Sequence, residues 1–108
     1  MIKVYISGKI TGLPLLDAQC KFEWAERQIE RLKMTPVNPM KKETPMDASW
    51  NEHMVEDIRL LLNCQAIYLQ TDWQDSLGAR IEEYIARETG KIIIEQQAFS
   101  AWKNSKEE

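Results

Sequence analysis

The sequence predicts an α/β domain built on a parallel sheet, because short apolar runs typical of strands alternate with longer amphipathic segments typical of helices. Strands and helices that alternate through right-handed crossovers form a parallel sheet with helices on both faces. We expect one such three-layer domain over residues 1–108. The predicted strands are 2–7, 34–37, 66–69 and 91–94, and the predicted helices are 14–33, 49–63 and 76–89.

The first half of the chain is predicted from a strand and a long amphipathic helix. The run Ile2-Lys3-Val4-Tyr5-Ile6 opens the chain as a strand. The helix that follows begins after Gly12 and Pro14 and carries Ala18, Phe22 and Ala25 on one apolar stripe. We expect this stripe to pack against one face of the sheet.

The second half of the chain is predicted from capping and turn residues. Residues 38–48 contain two prolines and several charges and are expected to form a long loop. Ser49 is placed to cap the second helix, and Gly90 is placed to end the third. A short helical piece is expected at 98–102, followed by a frayed charged tail at 103–108.

The predicted strand order locates a ligand site. Pro36 removes a ladder donor from the second strand, which therefore belongs at a sheet edge. The resulting order 2-1-3-4, a flavodoxin or Rossmann-like arrangement, reverses direction between the first and third strands. Ligands of open α/β sheets bind beyond the carboxyl ends of such strands. The candidate binding residues there are Ser7, Gly8, Lys9, Ile10, Asp72, Trp73, Asp75, Ser76 and Gly78.

Composition narrows the function classes. The 108 residues carry a net charge of −3, which argues against a nucleic acid polymer as partner. We expect no membrane span and no metal or other cofactor, because one histidine and two cysteines cannot form a convincing zinc site. Cys20 and Cys64 both fall in predicted helices with apolar neighbours, and we interpret them as reduced thiols of a cytoplasmic protein.

Two carboxylates occupy unusual helix positions. In the third helix, Gly78, Glu82, Ala86 and Gly90 recur every four residues, so that one carboxylate lies in a stripe of small side chains. The stripe could serve close packing with Glu82 at the solvent edge, or it could keep a cavity open for Glu82, which we favour. Asp57 falls inside the apolar stripe of the second helix and must be hydrogen-bonded or have a shifted pKa.

Aromatic residues offer a stacking surface and a partner surface. Tyr5 and Trp73 are expected to flank the pocket, where Trp73 could stack on a planar ligand or serve as an ordinary anchor. Trp24 lies off the apolar stripe of the first helix and, with Trp102, could contact a protein partner. A homo-oligomer is expected, a dimer being favoured.

The ordered set of motifs resembles a family of small uncharacterised proteins common in phages and mobile elements. That family in turn resembles the nucleoside deoxyribosyltransferases and the deoxynucleotide N-glycosidases, which implies a fold of that kind. The residues that carry the resemblance are Val4 to Gly12, Val37-Asn38-Pro39, Trp50, Asp57-Ile58, Cys64, Ile67-Tyr68-Leu69, Trp73 and Ser76 to Glu82.

The resemblance implies roles for individual residues. Gly78-Ala79-Arg80-Ile81-Glu82 is similar to the Gly-Thr-x-x-Glu stretch of the transferases, with Ala79 in place of threonine, and implies that Glu82 is the nucleophile. Tyr5 is similar to the tyrosine that orients this glutamate. A second acid must protonate the departing base, and the candidates are Asp57, Asp72 and Asp75.

Three functions are compatible with the sequence. The favoured one is an enzyme that cleaves or transfers the N-glycosidic bond of a nucleoside or nucleotide through a covalent sugar–carboxylate ester. The second is a module that binds a nucleotide or sugar phosphate without catalysis. The third is an interaction protein of a mobile element that uses Trp24 and Trp102.

Overall fold

The computed structural model describes residues 1–96, and these form a four-stranded, all-parallel sheet with three helices. The predicted helical piece at 98–102, the tail at 103–108 and Trp102 lie outside the described residues. The strands are β1 (Lys3–Ser7), β2 (Thr35–Val37), β3 (Ala66–Leu69) and β4 (Ile92–Glu95), and the helices are α1 (Leu15–Arg31), α2 (Trp50–Leu62) and α3 (Leu77–Glu88).

The strand order β2-β1-β3-β4 is the one predicted. β2 lies at a sheet edge, where Pro36 pairs with Val4 of β1. β1 and β3 are neighbours and run in register from Val4 opposite Ala66 to Ser7 opposite Leu69. The loops that leave these two strands therefore start side by side, at the carboxyl edge of the sheet.

The side chains of β1 alternate between two apolar clusters, one on each face of the sheet. Val4 and Ile6 pack against Phe22 of α1. Tyr5 points to the opposite face and packs with Leu61 of α2 and other apolar residues. The period of two in a strand thus divides β1 between a face covered by α1 and a face covered by α2 and α3.

The helix ends follow from capping chemistry. The Ser49 hydroxyl accepts a hydrogen bond from the Glu52 N–H at 3.1 Å, and the Ser76 hydroxyl accepts one from the Ala79 N–H at 3.2 Å. Gly90 has a φ of +72°, a left-handed conformation that glycine adopts without strain after a helix. Ser49 and Gly90 act as predicted, and Ser76 caps α3 in the same way as Ser49 caps α2.

The cysteine prediction was wrong in part. Cys20 lies in α1 as predicted, and its free thiol is exposed. Cys64 is buried, but it follows α2, whose last turn is closed by Asn63 as C-cap. Its burial comes from packing with Tyr5 and Ile67 in the cluster next to β1, a contact that helical periodicity could not reveal.

The predicted loop at 38–48 contains a short 3-10 turn at Pro39–Lys41, and a second 3-10 turn lies between β3 and α3 at Trp73–Asp75. Asn38 caps the first turn by accepting a hydrogen bond from the Met40 N–H at 2.9 Å. Within residues 1–96, every helix is too short or too polar to cross a membrane.

Candidate active site

A cavity of about 470 Å³ opens at the carboxyl edge of the sheet, between β1, α2, α3 and the segment that precedes α2. This is within the usual size range of small-molecule sites. Of the residues predicted to bind or act on a ligand, nine line it: Tyr5, Gly8, Lys9, Ile10, Asp57, Asp75, Ser76, Gly78 and Glu82.

Glu82 is the central polar group of this cavity. Its side chain is 4% exposed, and both carboxylate oxygens accept hydrogen bonds. The Tyr5 hydroxyl donates to Oε2 at 2.7 Å, and the Ser7 hydroxyl donates to Oε1 at 2.7 Å. The carboxylate is thus fixed in one orientation while it still faces the cavity.

Burial raises the pKa of Glu82 to about 7, although the hydrogen bonds from Ser7 and Tyr5 act to lower it. The charge of Asp57 adds to the increase. The pKa of the Tyr5 hydroxyl is also raised well above its usual value, first by burial and then by the charge of Glu82. Near neutral pH, Glu82 is therefore present in both its protonated and its ionised form, whereas the Tyr5 hydroxyl stays protonated and can donate a hydrogen bond.

The backbone explains how these three side chains meet. Tyr5 and Ser7 are two residues apart on β1 and therefore point to the same face of the sheet. Ser76 caps α3 at the edge of that face, and Glu82 follows a turn and a half later. A Cβ on Gly78 would lie 3.1 Å from the Met54 sulfur, so this glycine lets α3 approach α2 closely.

The small-residue stripe of α3 serves close packing and also leaves Glu82 facing a cavity. Ala79 and Ala86 are buried and serve the close packing of the helix. Glu82 does not lie at a solvent edge, because it is buried and lines the cavity.

Asp57 lies in the same cavity and forms an ion pair. Its Oδ1 is 2.6 Å from the Nζ of Lys42, and both side chains are 9% exposed. Burial raises the pKa of Asp57, and the contact with Lys42 opposes this increase. The expectation that Asp57 is either hydrogen-bonded or shifted in pKa is met in both respects.

Asp72 is predicted to bind substrate, but it lies outside the cavity lining. Its Oδ2 is 2.6 Å from Lys21 Nζ, and its Oδ1 accepts the Lys9 N–H at 3.1 Å. Asp72 therefore holds the β1 loop against α1. Ser7 also lies behind the cavity surface and reaches the site only through its hydrogen bond to Glu82.

The expectation that Trp73 flanks the pocket was wrong. The 3-10 turn Trp73–Asp75 directs this side chain toward the apolar cluster that contains Tyr5 and Leu61. Trp73 lines a separate cavity of about 110 Å³ with Gln70 and Glu95 at the end of β4. It therefore has the anchoring role that was the alternative to ligand stacking.

Several residues of the cavity were not predicted from the sequence as site residues. The apolar part of the wall contains Phe22, Met40, Trp50 and Met54. Trp50 was part of the family resemblance, but no pattern in the sequence assigned it to a pocket. Lys42 was missed because the loop that carries it has no periodicity that would fix the direction of a side chain.

His53 is another cavity residue whose position could not be predicted. It lines the cavity, with its Nε2 3.4 Å from the Met46 carbonyl oxygen. Across residues 1–96, no group of three or more histidine, cysteine or acidic side chains is arranged to hold a metal ion.

Gly8 fixes the start of the β1 loop. A Cβ at this position would lie 2.9 Å from Gln70 Cδ, 3.0 Å from Gln70 Cβ and 3.2 Å from Asp72 Oδ1, and Gln70 is fully buried. Gly8→Ala is therefore expected to cost about 1–3 kcal/mol of unfolding free energy, the usual cost of overpacking. Urea denaturation would measure it.

The matched control is Gly78→Ala, whose new methyl group meets the flexible end of Met54. It should cost clearly less than Gly8→Ala. Equal stability of Gly8→Ala and the wild type would show that the loop has room to shift.

Three comparisons relate the chain to known proteins. A family model described as "Domain of unknown function (DUF4406)" matches residues 2–95. None of the curated proteins compared with the chain matches it in sequence.

Solved structures resemble the chain more clearly. A 2-desoxiribosyltransferase from Leishmania mexicana matches with a TM-score of 0.67 and 15% identity, covering 88% of this chain and 63% of that protein. A 2-deoxyribosyltransferase from Bacillus psychrosaccharolyticus matches with a TM-score of 0.65 and 16% identity, covering 86% of this chain and 70% of that protein.

A conserved protein from Enterococcus faecalis V583 matches with a TM-score of 0.64 and 16% identity, covering 88% of this chain and 62% of that protein. The chain thus spans a little under two thirds of the Leishmania protein. At these identities the likeness concerns the fold, and the predicted deoxyribosyltransferase-like α/β fold is confirmed.

Proposed function

We propose the following function for this chain, which belongs to the DUF4406 family: it binds a nucleoside or nucleotide and cleaves or transfers the N-glycosidic bond, with Glu82 as nucleophile. The observation that carries the proposal is the Glu82 carboxylate, which both Tyr5 and Ser7 hold by hydrogen bonds at the surface of a ligand-sized cavity. Two structural neighbours, both deoxyribosyltransferases by name, support the same chemistry.

The arrangement of Glu82 suits attack on an anomeric carbon. A carboxylate nucleophile divides the cleavage into two steps through a covalent sugar ester, as in retaining glycosidases. Tyr5 and Ser7 leave the carboxylate few orientations, so little ordering remains to be done when the sugar binds. The acceptor of the second step is water in a hydrolase or a second base in a transferase.

The apolar wall of the cavity suits the base of the ligand. Phe22, Trp50 and the methionines Met40 and Met54 offer ring faces and polarisable thioethers to a planar heterocycle. The polar end of the cavity, with Glu82, is left for the sugar. This division supports a nucleoside-type ligand over a fully polar one.

The departing base needs a proton or a positive charge beside it. Of the three aspartates that the sequence offers for this role, Asp57 is buried and lines the cavity. Asp75 lines the cavity but is exposed, and Asp72 is engaged by Lys21. Of the three aspartates, we therefore assign Asp57 to the position beside the departing base.

The test is a base-release assay. The purified chain would be incubated with a panel of deoxynucleosides and deoxynucleotides, with and without an acceptor base, and free bases would be separated by chromatography. Release of base supports the proposal. Binding without release from any substrate would favour the non-catalytic module, and neither binding nor release would favour the interaction protein.

Four further properties that the sequence predicts are also proposals. They are a homo-oligomer, a cytoplasmic location, an association with mobile elements and a single domain over residues 1–108. Trp24, named for a partner surface, is 37% exposed on α1.

A further inference from the structure

Lys42 lines the same cavity as Glu82, has a side chain that is almost fully buried, and has no part in the reaction described so far. Its neighbour Lys41 behaves as a loop lysine usually does, with a side chain that is 61% exposed and paired with Glu26 at 2.9 Å. The Lys42 side chain is only 9% exposed. Burying an ammonium group is costly unless it is paired, and here the pair lies at a cavity wall.

At neutral pH a lysine–carboxyl pair consists of an ammonium and a carboxylate, because the ordinary pKa of an amine lies far above that of a carboxyl group. Lys42 Nζ donates to Asp57 Oδ1 at 2.6 Å. In this arrangement the ammonium carries the proton and the carboxylate accepts. Asp57 is thus occupied as an acceptor in the free protein, and the transferable proton of the pair is on Lys42.

The charged groups around Asp57 come from four elements. Lys42 from the preceding loop and His53 from α2 lower the pKa of Asp57, against the dominant effect of burial, and Glu56 from α2 raises it. From the facing elements, Tyr5 of β1 and Glu82 of α3 are close enough for Asp57 to raise their pKa values. Lys42 also lowers the pKa of Glu82, so the cation lies within electrostatic reach of the nucleophile.

We infer that Lys42 is a further catalytic residue of the proposed reaction: it gives its proton to the departing base, and Asp57 is the counter-ion that holds the ammonium at the cavity wall. The inference rests on the proposed function. It assigns the proton donor to a lysine, where the sequence offered three aspartates.

The atoms and charges of the reaction balance. In the first step a Glu82 oxygen bonds to the anomeric carbon, the bond from that carbon to the base nitrogen breaks, and its electron pair passes to the base. The base takes a proton from Lys42, which becomes a neutral amine. In the second step water attacks the anomeric carbon, its proton passes to the Lys42 amine, and the ester electron pair returns to Glu82.

Other polar groups of the cavity fit this role less well. Asp75 is exposed, and Lys9 is half-buried in the β1 loop, so water competes for both. His53 Nε2 lies 3.4 Å from the Met46 carbonyl oxygen and is directed toward the loop. Lys42 combines burial, a fixed orientation and a proton.

The experiment compares leaving groups. The kcat/KM for base release is measured with a series of deoxynucleosides whose free bases differ in pKa, including a 7-methylated purine whose base leaves uncharged without a proton. The variants are Lys42→Arg, Lys42→Met and Asp57→Asn. Lys41→Arg is the matched control, since it is the same change at the neighbouring ion-paired lysine.

Lys42→Arg is the decisive variant, because it keeps the charge and the ion pair needed for folding but cannot give up its proton. For bases that need a proton, we expect a loss of about 10²–10⁴-fold, the usual contribution of a general acid. For the 7-methylated purine the loss should be small. Asp57→Asn should also lower kcat/KM mainly for bases that need a proton, because the ammonium loses its counter-ion, and Lys41→Arg should match the wild type.

Two results would overturn the assignment and leave the proposed function intact. One is that kcat/KM depends on the pKa of the leaving base in both Lys42 variants as strongly as it does in the wild type. The other is that kcat/KM depends more steeply on the pKa of the leaving base in Asp57→Asn than in the wild type, while Lys42→Arg lowers it equally for every base. This result would make Asp57 the proton donor. If the wild type releases no base from any member of the series, the proposed function fails and this inference falls with it.

Discussion

Glu82→Gln is expected to reduce base release by at least about four orders of magnitude, because the variant cannot form the covalent sugar ester. Glutamine is nearly the same size, and its amide can exchange hydrogen bonds with the hydroxyls of Tyr5 and Ser7. The loss should therefore appear in kcat rather than in ligand affinity. Single-turnover assays together with titration of an uncleavable nucleoside analogue would separate the two.

The same substitution is expected to change the dependence of stability on pH. Its pKa rises from an ordinary value of 4.5 to about 7 in the folded chain. As pH increases from 4.5 to 7, the unfolded chain loses this proton first, so folding becomes less favourable by about 3 kcal/mol. Glutamine does not titrate, and the free energy of unfolding of Glu82→Gln relative to the wild type should therefore increase over that pH range.

The matched control is Glu83→Gln. Glu83 is the next residue of α3 and is also largely buried, but its carboxylate pairs with Arg87 and does not line the cavity. This variant should keep the base-release activity of the wild type. Persistent activity in Glu82→Gln, or an equal loss in Glu83→Gln, would contradict the assignment of the nucleophile.

The fold could be predicted from the sequence because its signals are local. Apolar runs of four to six residues indicated the strands, Ser49 indicated the start of α2, and Pro36 placed β2 at the edge. Strand order then followed from general rules of α/β topology. Some observed helix and strand bounds differ from the predicted ones by one or two residues. At these ends, fraying and capping residues determine where the element stops.

The site could be predicted where it rests on regular elements. The period of four along α3 singled out Glu82, and its position after β3 placed it near Tyr5. The Lys42–Asp57 pair could not be predicted, because Lys42 lies in an irregular loop and the length of a loop does not specify which side chain turns inward. Trp73 and Asp72 were misassigned for the same reason: a short 3-10 turn and an ion pair with Lys21 determine their directions.

Removal of the two hydroxyls that hold Glu82 should move the pH profile of the reaction. Both hydrogen bonds favour the ionised carboxylate, so Ser7→Ala and Tyr5→Phe should each raise the pKa of Glu82 above about 7. A hydrogen bond to a charged group contributes about 1.5–3 kcal/mol, which corresponds to about one or two pKa units. The nucleophile must be ionised, and the acid limb of kcat/KM should therefore shift upward by that amount.

The loss of activity should depend on pH in a defined direction. At pH 6, each variant should lose about tenfold or more in kcat/KM, and the double variant should lose about a hundredfold or more if the two effects add. At pH 9, where about half or more of the carboxylate is ionised in each single variant, a much larger share of the wild-type rate should return in the single variants. Carbon-13 titration of the Glu82 carboxyl would give the same shift without any substrate.

Tyr68→Phe provides the control for loss of a buried tyrosine hydroxyl. Tyr68 lies on β3 and is 1% exposed, but it faces the α1 side of the sheet and does not line the cavity. Loss of the Tyr68 hydroxyl should leave the acid limb of the kcat/KM profile at the same pH as in the wild type. If Tyr5→Phe and Ser7→Ala reduce the rate equally at every pH, the two hydroxyls act by positioning alone, and the link between their hydrogen bonds and the ionisation of Glu82 is wrong.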